Sequence, residues 1–255
     1  MRPGRPTLPP PPVGSLGPEV HPEREADGEG VVDEVGEAYR GVRLRVGELV
    51  VDADAAALDT VAPATPEWTV HDLLAHLAGV TADIVSGNLE GVGTDAWANA
   101  QVDTRRDHDL VALLAEWNEH GPVVEELAAQ FGRAAGQLLS DATTHEHDVR
   151  GALGVPGARD SDAVARSLEF VGLSLGEQLD RREVGALVVH HEGGTETFGA
   201  RAPAASLRID RFELVRALTG RRSLDQITAY EWDGAFVPDH LVLERFTVRT
   251  DPLVE

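Results

Sequence analysis

The segment DATTHEHDVRGALG, residues 141–154, carries two histidines and three acidic residues within its first eight positions. If the segment is helical, spacings of four, three and four residues put one set on a single face: Asp141, His145, Asp148 and Ala152. The adjoining face is apolar and is expected to face a core: Leu138, Ala142, Val149 and Leu153. The Asp141–His145 pair therefore lies at the edge of a buried face, whereas His147 is expected to point into solvent.

A second histidine-bearing helix is predicted over WTVHDLLAHLAGVTADIV, residues 68–85, because its apolar residues recur with helical spacing. His76 flanks this apolar stripe, and Asp83 lies seven positions further along the same edge. His71 falls on the other flank and is the weaker candidate ligand. Asp83 and Asp148 are placed to orient the ligands of a site between the two helices.

Two histidines and one carboxylate from facing helices give a three-ligand metal site with open positions, an arrangement typical of catalytic zinc. The same ligand types also hold ferrous iron. The competing interpretation is that the run HEHD is a solvated helix face whose acidic residues pair with Arg150. Spacing alone leaves both interpretations open.

Composition narrows the class of protein. The chain has 255 residues, a formal charge of −22 and no cysteine. The acidic balance argues against nucleic-acid binding, which relies on a basic surface. No apolar run of the length needed for a bilayer span exists, and the N-terminal segment lacks the apolar core of a signal peptide. We therefore expect a cytoplasmic protein with no membrane partner.

The chain divides by pattern into three parts. Residues 1–36 hold many prolines followed by acidic residues and are predicted to be a disordered tail. Residues 38–155 contain four helical segments, one of them interrupted at Gly121–Pro122, and predict an antiparallel bundle. Residues 160–255 mix helical segments with two paired strands around Gly193–Gly194 and a third candidate strand, ASLRID, which indicates a smaller α+β domain.

WTVHDLLAHLAG, followed later by the pattern D-x-x-x-H-E-x-D-V-R-G-A-L-G, resembles the mycothiol-dependent maleylpyruvate isomerase family. That family belongs to the larger DinB-like group of metal-binding four-helix bundles. The likeness continues into LRIDRFELVRALTGRRSLDQI, which is similar to the family's C-terminal domain. The resemblance implies a mainly α fold, with a DinB-like four-helix bundle followed by a smaller α+β C-terminal domain.

The resemblance also implies a ligand set and a cofactor. His76, Asp141 and His145 match the positions that hold Zn²⁺ in the family, although aspartate stands where the family has glutamate, so another divalent metal is also considered. The implied cofactor is mycothiol, a low-molecular-weight thiol that reacts as a thiolate once a divalent cation lowers its pKa. The chain has no cysteine, so its thiol nucleophile must be a bound small molecule.

The segment DAWANAQVDTRR resembles a recurrent family segment and makes Gln101 and Arg105 the candidate substrate-binding residues. The family's C-terminal domain contributes an arginine to the active site, and Arg221 is the preferred match, ahead of Arg222. The ordinary alternatives are that Arg105 pairs with neighbouring aspartates and that Arg221 closes a helix end.

The implied reaction is addition of a thiolate to a small electrophilic substrate. In the isomerase, the thiolate adds to the double bond of maleylpyruvate, the single bond rotates, and elimination releases fumarylpyruvate. Thiol S-transfer to another electrophile is equally compatible with the resemblance. A different class of function, a non-catalytic metal- or ligand-binding module with a degenerate enzyme site, is suggested by the change to Asp141. A weaker alternative is an apolar ligand held by the α+β domain.

Overall fold

The computed structural model describes residues 34–255. This part of the chain contains nine α-helices and four short strands, joined by loops. The helices are α1 Glu34–Val50, α2 Ala55–Leu58, α3 Val70–Ser86, α4 Asp95–Arg105, α5 Leu110–Leu127, α6 Arg133–Leu153, α7 Asp162–Arg181, α8 Arg211–Leu218 and α9 Leu224–Thr228. The strands are β1 Ala186–His191, β2 Gly194–Phe198, β3 Pro203–Arg208 and β4 Glu231–Gly234. Most of the predicted tail lies outside the described residues, and its last three positions, 34–36, already belong to α1.

Helices α1, α3, α5 and α6 form a four-helix bundle in which α1 and α3 each pack against both α5 and α6. Their apolar faces meet in a core that includes Val42, Val46, Leu73, Leu77, Trp117 and Leu139. Deep in this core the indole Nε1 of Trp117 donates a hydrogen bond of 3.1 Å to the hydroxyl of Tyr39. The predicted mainly α fold with a bundle is confirmed. None of the helices in residues 34–255 combines the length and hydropathy that crossing a bilayer requires.

Helix α5 runs without a break through Gly121–Pro122, so the predicted interruption there is wrong. Proline removes one backbone donor from a helix, but tertiary contacts on both sides of it keep α5 continuous. Trp117 and Val124 are buried in the bundle core one turn before and shortly after the proline. Gly121 allows α1 to approach, because a Cβ at this position would lie 2.6 Å from the Cδ of Arg43.

The four strands form one sheet in the order β2-β1-β3-β4. β1 pairs antiparallel with β2, as the glycines between them predict, and parallel with β3, while β4 pairs antiparallel with β3. β4 was not expected, since its sequence EWDG lacks the alternation of a half-buried strand. Helices α7 and α8 cover the sheet in a second core that includes Leu168, Val171, Leu175, Leu187, Leu207 and Leu218.

Helix α7 joins the two cores. It packs against α6 and α1 of the bundle and also against β1 and β2 of the sheet. Two glycines permit these close approaches: a Cβ at Gly136 would lie 2.9 Å from Phe170, and one at Gly172 would lie 2.5 Å from Phe198. All described residues fall in one compact unit, so the proposed boundary between residues 155 and 160 stays a prediction.

Helix α4 crosses α3 closely because Gly79 has no side chain. A Cβ at this position would lie 2.6 Å from the Cβ of Gln101 and 2.8 Å from an Nη of Arg105. Both side chains of α4 are buried, so neither can move aside freely. The glycine therefore sets the distance between these two helices.

We expect Gly79→Ala to lower the free energy of unfolding by about 1–3 kcal/mol, because the added methyl group overpacks the α3–α4 contact. The matched control is Gly47→Ala in α1, where nothing lies within 4 Å of the added Cβ. That change should raise the free energy of unfolding by about 0.5–1 kcal/mol. Urea unfolding followed by circular dichroism measures both. Equal effects of the two substitutions would contradict the described α3–α4 packing.

Candidate metal centre

Three side chains from two bundle helices converge at one point. Helix α3, which begins at a capping box formed by Thr69 and Asp72, supplies His76. Helix α6 supplies Asp141 and His145, one turn apart. One ligand atom from each of these three residues lies within 4.8 Å of the others. The structure thus brings together the three residues predicted to bind metal.

The spacing of these atoms suits a divalent cation. Ligand atoms about 2.1 Å from a tetrahedral zinc ion are about 3.4 Å apart. Here the Nε2 of His76 lies 3.1 Å from one oxygen of Asp141, and the Nε2 of His145 lies 3.6 Å from the other oxygen. Both imidazoles are buried, whereas the Asp141 side chain is 37% exposed and leaves one side open. Two imidazole nitrogens and one carboxylate oxygen therefore fit the ligand set that zinc prefers.

The cluster is strongly coupled electrostatically. Burial acts to raise the pKa of the Asp141 carboxyl, but His76 and His145 outweigh it and hold that pKa well below its usual range. Burial acts to lower the pKa of His145, but Asp141 and Asp148 outweigh it and raise that pKa to about 9. A cation that binds between these groups must therefore displace a proton from His145.

Asp148 orients His145. The Nδ1 of His145 lies 3.0 Å from a carboxylate oxygen of Asp148, which leaves Nε2 facing the cluster. The Asp148 carboxylate is completely buried, accepts a hydrogen bond from Nη2 of Arg221 at 2.9 Å, and forms an ion pair with Nη2 of Arg216 at 2.8 Å. Although burial alone would raise the pKa of Asp148, the two arginines lower it well below the usual range. The carboxylate that fixes His145 is thus held in its ionised form.

Arg221 reaches the site, and Arg222 does not. Arg221 also donates to the carbonyl oxygen of Thr219 at 2.8 Å, and its side chain is only 10% exposed. Arg222 turns the other way and pairs with Glu213 and Glu255. Sequence reasoning missed Arg216, the second cation on Asp148, because nothing in its spacing distinguishes it from other arginines of a helix.

The predicted substrate-binding residues, Gln101 and Arg105, are buried between helices and pair with acidic side chains. The amide of Gln101 donates to Asp83 at 2.8 Å, and the guanidinium of Arg105 forms a two-point ion pair with Glu116 at 2.6 and 2.7 Å. Neither residue lines either of the cavities beside the metal cluster. The carboxylate of Asp83 accepts hydrogen bonds from Gln101 and Asn88 and does not contact His76. Its predicted role in orienting His76 is therefore wrong.

The prediction that His147 points into solvent is wrong. His147 is only 4% exposed, and its ring packs edge-on against Phe212 of α8 with centroids 4.7 Å apart. The run HEHD is likewise not a solvated face, because Glu146 is completely buried between Arg45 and Arg150. The outer side of α6 is covered by α7 and by residues that are distant in sequence, which the local pattern does not reveal.

Two cavities open beside the cluster. The larger, about 690 Å³, has a mixed polar and apolar wall that includes the charged residues Arg221, Arg249, Glu67 and Asp251. The smaller, about 350 Å³, has a mostly apolar wall. Four residues line both: Trp68, Asp95, Ala98 and His145. The indole of Trp68 lies 5.0 Å from the His76 ring and 5.7 Å from the His145 ring, measured between ring centroids.

Comparison with known proteins agrees with this architecture. Residues 39–165 match the family described as the mycothiol maleylpyruvate isomerase N-terminal domain. The chain is similar to the crystal structure of the mycothiol-dependent maleylpyruvate isomerase, with a TM-score of 0.51 and 15% identity over 74% of this chain and 89% of that chain. A histidine-to-alanine variant of the mycothiol-dependent maleylpyruvate isomerase gives a TM-score of 0.53 and 14% identity over 81% of this chain and 95% of that chain. No curated protein matches the chain. At these identities the structural likeness shows a shared fold.

We expect about one zinc ion per chain in the wild-type protein and little or none in His76→Ala and His145→Ala, because each change removes one of three ligands. The matched control is His71→Ala on the same helix as His76. The ring of His71 forms a hydrogen bond with the carbonyl oxygen of His108 and lies outside the cluster. Metal content by mass spectrometry after incubation with zinc measures this. Equal metal content in all four proteins would contradict the assigned ligands.

We expect Asp148→Asn to weaken zinc affinity by about 10–100-fold, because His145 loses the carboxylate that orients it. It should also lower the free energy of unfolding by about 3–5 kcal/mol, since two buried arginines lose their partner. Glu213→Gln is the control, because it breaks the ion pair with Arg222 without touching His145. Zinc titration by calorimetry separates the two effects. If both variants bind zinc equally well, Asp148 does not support the metal ligand.

Proposed function

Because the chain belongs to the mycothiol-dependent maleylpyruvate isomerase family through residues 39–165, we propose that it is a metal-dependent enzyme that joins mycothiol to a small electrophile. The reaction is either isomerisation through thiol addition or thiol S-transfer. The observation that carries this proposal is the convergence of His76, Asp141 and His145 between two cavities. A site of this kind has room for two reactants that meet at one cation.

Each side chain has a defined part in this proposal. His76, Asp141 and His145 hold the cation, which when bound lowers the pKa of a thiol so that it reacts as a thiolate. Asp148 keeps the proton of His145 on Nδ1, so that Nε2 is free to act as a ligand. Arg221 acts through Asp148 and is in this proposal a positioning residue. The chain contains no cysteine, so the thiol comes from the cofactor.

The two cavities divide the reactants. The larger one offers charged and polar groups of both signs, including Arg249 and Asp251, and suits a polar thiol cofactor. The smaller one adjoins the exposed side of Asp141 and suits the electrophile. Trp68 lies against both imidazoles and limits the access of water to them. The reacting sulfur and carbon would then meet beside His145, which borders both cavities.

A non-catalytic metal- or ligand-binding module is the second candidate. The observation that favours it is the pairing of the site's arginines, with Arg221 on Asp148 and Arg105 on Glu116. Neither is free to hold the carboxylates of a substrate such as maleylpyruvate. Such a module would bind zinc without measurable affinity for the thiol.

We expect zinc-loaded protein with mycothiol to turn over maleylpyruvate or a model electrophile. Activity should fall at least about a hundredfold in His76→Ala and His145→Ala, since activation by a bound cation contributes several kcal/mol. His71→Ala should keep full activity. Full activity in the two ligand variants would exclude metal-dependent catalysis. Zinc binding without turnover and without thiol affinity, measured by calorimetry, would favour the binding module.

A further inference from the structure

We infer that the smaller cavity takes a neutral, apolar electrophile and not a dicarboxylate, so that this chain catalyses thiol S-transfer to an apolar compound. The inference rests on the proposed function and specifies its substrate. It follows from three observations: the apolar wall of the cavity, the charges of the residues that line it, and the ion pairs that Arg105 and Arg221 already form.

The wall of the smaller cavity is apolar and comes from several elements. Its size, about 350 Å³, is within the range of small-molecule sites. Aliphatic and aromatic side chains from α3, α4, α6 and the intervening loops line it: Val80, Ile84, Leu89, Trp97, Phe131 and Leu138. A surface of this kind gains from contact with an apolar ligand, whereas a carboxylate placed there loses its hydration without replacement.

Apart from the metal-binding histidines, the ionisable residues in this wall are both acidic. Asp95 and Asp141 line the cavity, and among the described residues no arginine does so. Asp141 and a bound thiolate would together cancel the two positive charges of a divalent cation. The cluster would then hold no net positive charge with which to attract a dicarboxylate. A neutral substrate avoids repulsion by Asp95.

Arg105 and Arg221, the two arginines assigned to the site from the sequence, already have acidic partners. Arg105 forms a two-point ion pair with Glu116 at 2.6 and 2.7 Å, and its guanidinium is buried. Arg221 faces the larger cavity and holds the fully buried Asp148. Moving Arg105 would leave Glu116 without its ion-pair partner, and moving Arg221 would remove one of the two cations beside the buried Asp148. These two arginines are therefore held away from the smaller cavity, although Arg245 lies close enough to Asp141 for their charges to interact.

The reaction that fits is nucleophilic substitution. The thiol loses its proton to solvent, and the sulfur forms a bond to the electrophilic carbon of the apolar compound. The leaving group departs with the electrons of the broken bond. With a neutral aryl halide the products are the aryl thioether of the cofactor and a halide ion.

Ligand binding tests the cavity without catalysis. Phenylnaphthylamine, a neutral apolar fluorophore, is titrated into the full-length metal-free protein. We expect Ala134→Trp, which narrows this cavity at the start of α6, to weaken binding at least about tenfold. The control is Ala100→Trp, an exposed position of α4 outside both cavity walls, which should bind like wild type. Maleate, an inert dicarboxylate, should not displace the fluorophore.

A second variant adds a positive charge to the cavity wall without filling the cavity. Leu89 is 52% exposed in a loop of the wall, so Leu89→Arg places a cation there with little cost to folding. This variant should bind the fluorophore more weakly and should allow maleate to compete. If maleate competes equally well with wild type, or if Ala134→Trp folds and binds as tightly as Ala100→Trp, the inference is overturned.

Turnover separates this inference from the proposed function. With zinc and mycothiol, we expect conjugation of a neutral chlorodinitrobenzene to exceed isomerisation of maleylpyruvate. Turnover of maleylpyruvate alone would support the proposed function and overturn the apolar substrate. Apolar binding with the expected variant effects but no turnover of either compound would overturn the enzyme and support the assigned ligand class.

Discussion

A buried negative charge organises this protein. The carboxylate of Asp148 is completely buried, and a carboxylate in that position costs several kcal/mol unless cations and donors surround it. Its partners are His145 on the same helix and Arg216 and Arg221 from the C-terminal part of the chain. The C-terminal part must therefore pack on α6 beside the metal ligands for the fold to be stable. The same contact that joins the two parts also fixes the orientation of a metal-binding imidazole.

Other charged side chains beside α6 are paired in the same way. Glu146 is buried between Arg45 of α1 and Arg150, and Arg216 also pairs with Glu255 near the end of the chain. These pairs satisfy charges that would otherwise oppose burial of the helix. As a result residues 138–149 of α6 are buried except Asp141, and the ligands are held on a rigid support.

The candidate centre is asymmetric, and the proposed function depends on this asymmetry. The two imidazoles are buried under Trp68, whereas Asp141 remains partly exposed. A cavity with charged residues in its wall and a mostly apolar cavity meet at His145, which borders both. Such an arrangement allows a polar thiol and a less polar electrophile to approach one cation from different sides. Ligand identity gives the site its chemistry, and the cavity walls select its substrates.

By itself, the sequence determined the bundle and placed His76, Asp141 and His145 at the edges of apolar stripes, because helical periodicity is a local property. The resemblance to the family then identified these three residues as a ligand set. The sequence also located the hairpin of β1 and β2 through the turn glycines between them. Only the tertiary structure decided that α5 continues through its proline, that His147 is buried, and that Gln101 and Arg105 pair with acidic residues away from the cavities. Each of these outcomes depends on what packs against the outer side of a helix. Those neighbours are distant in sequence, so the local pattern of residues does not predict the contacts that they make.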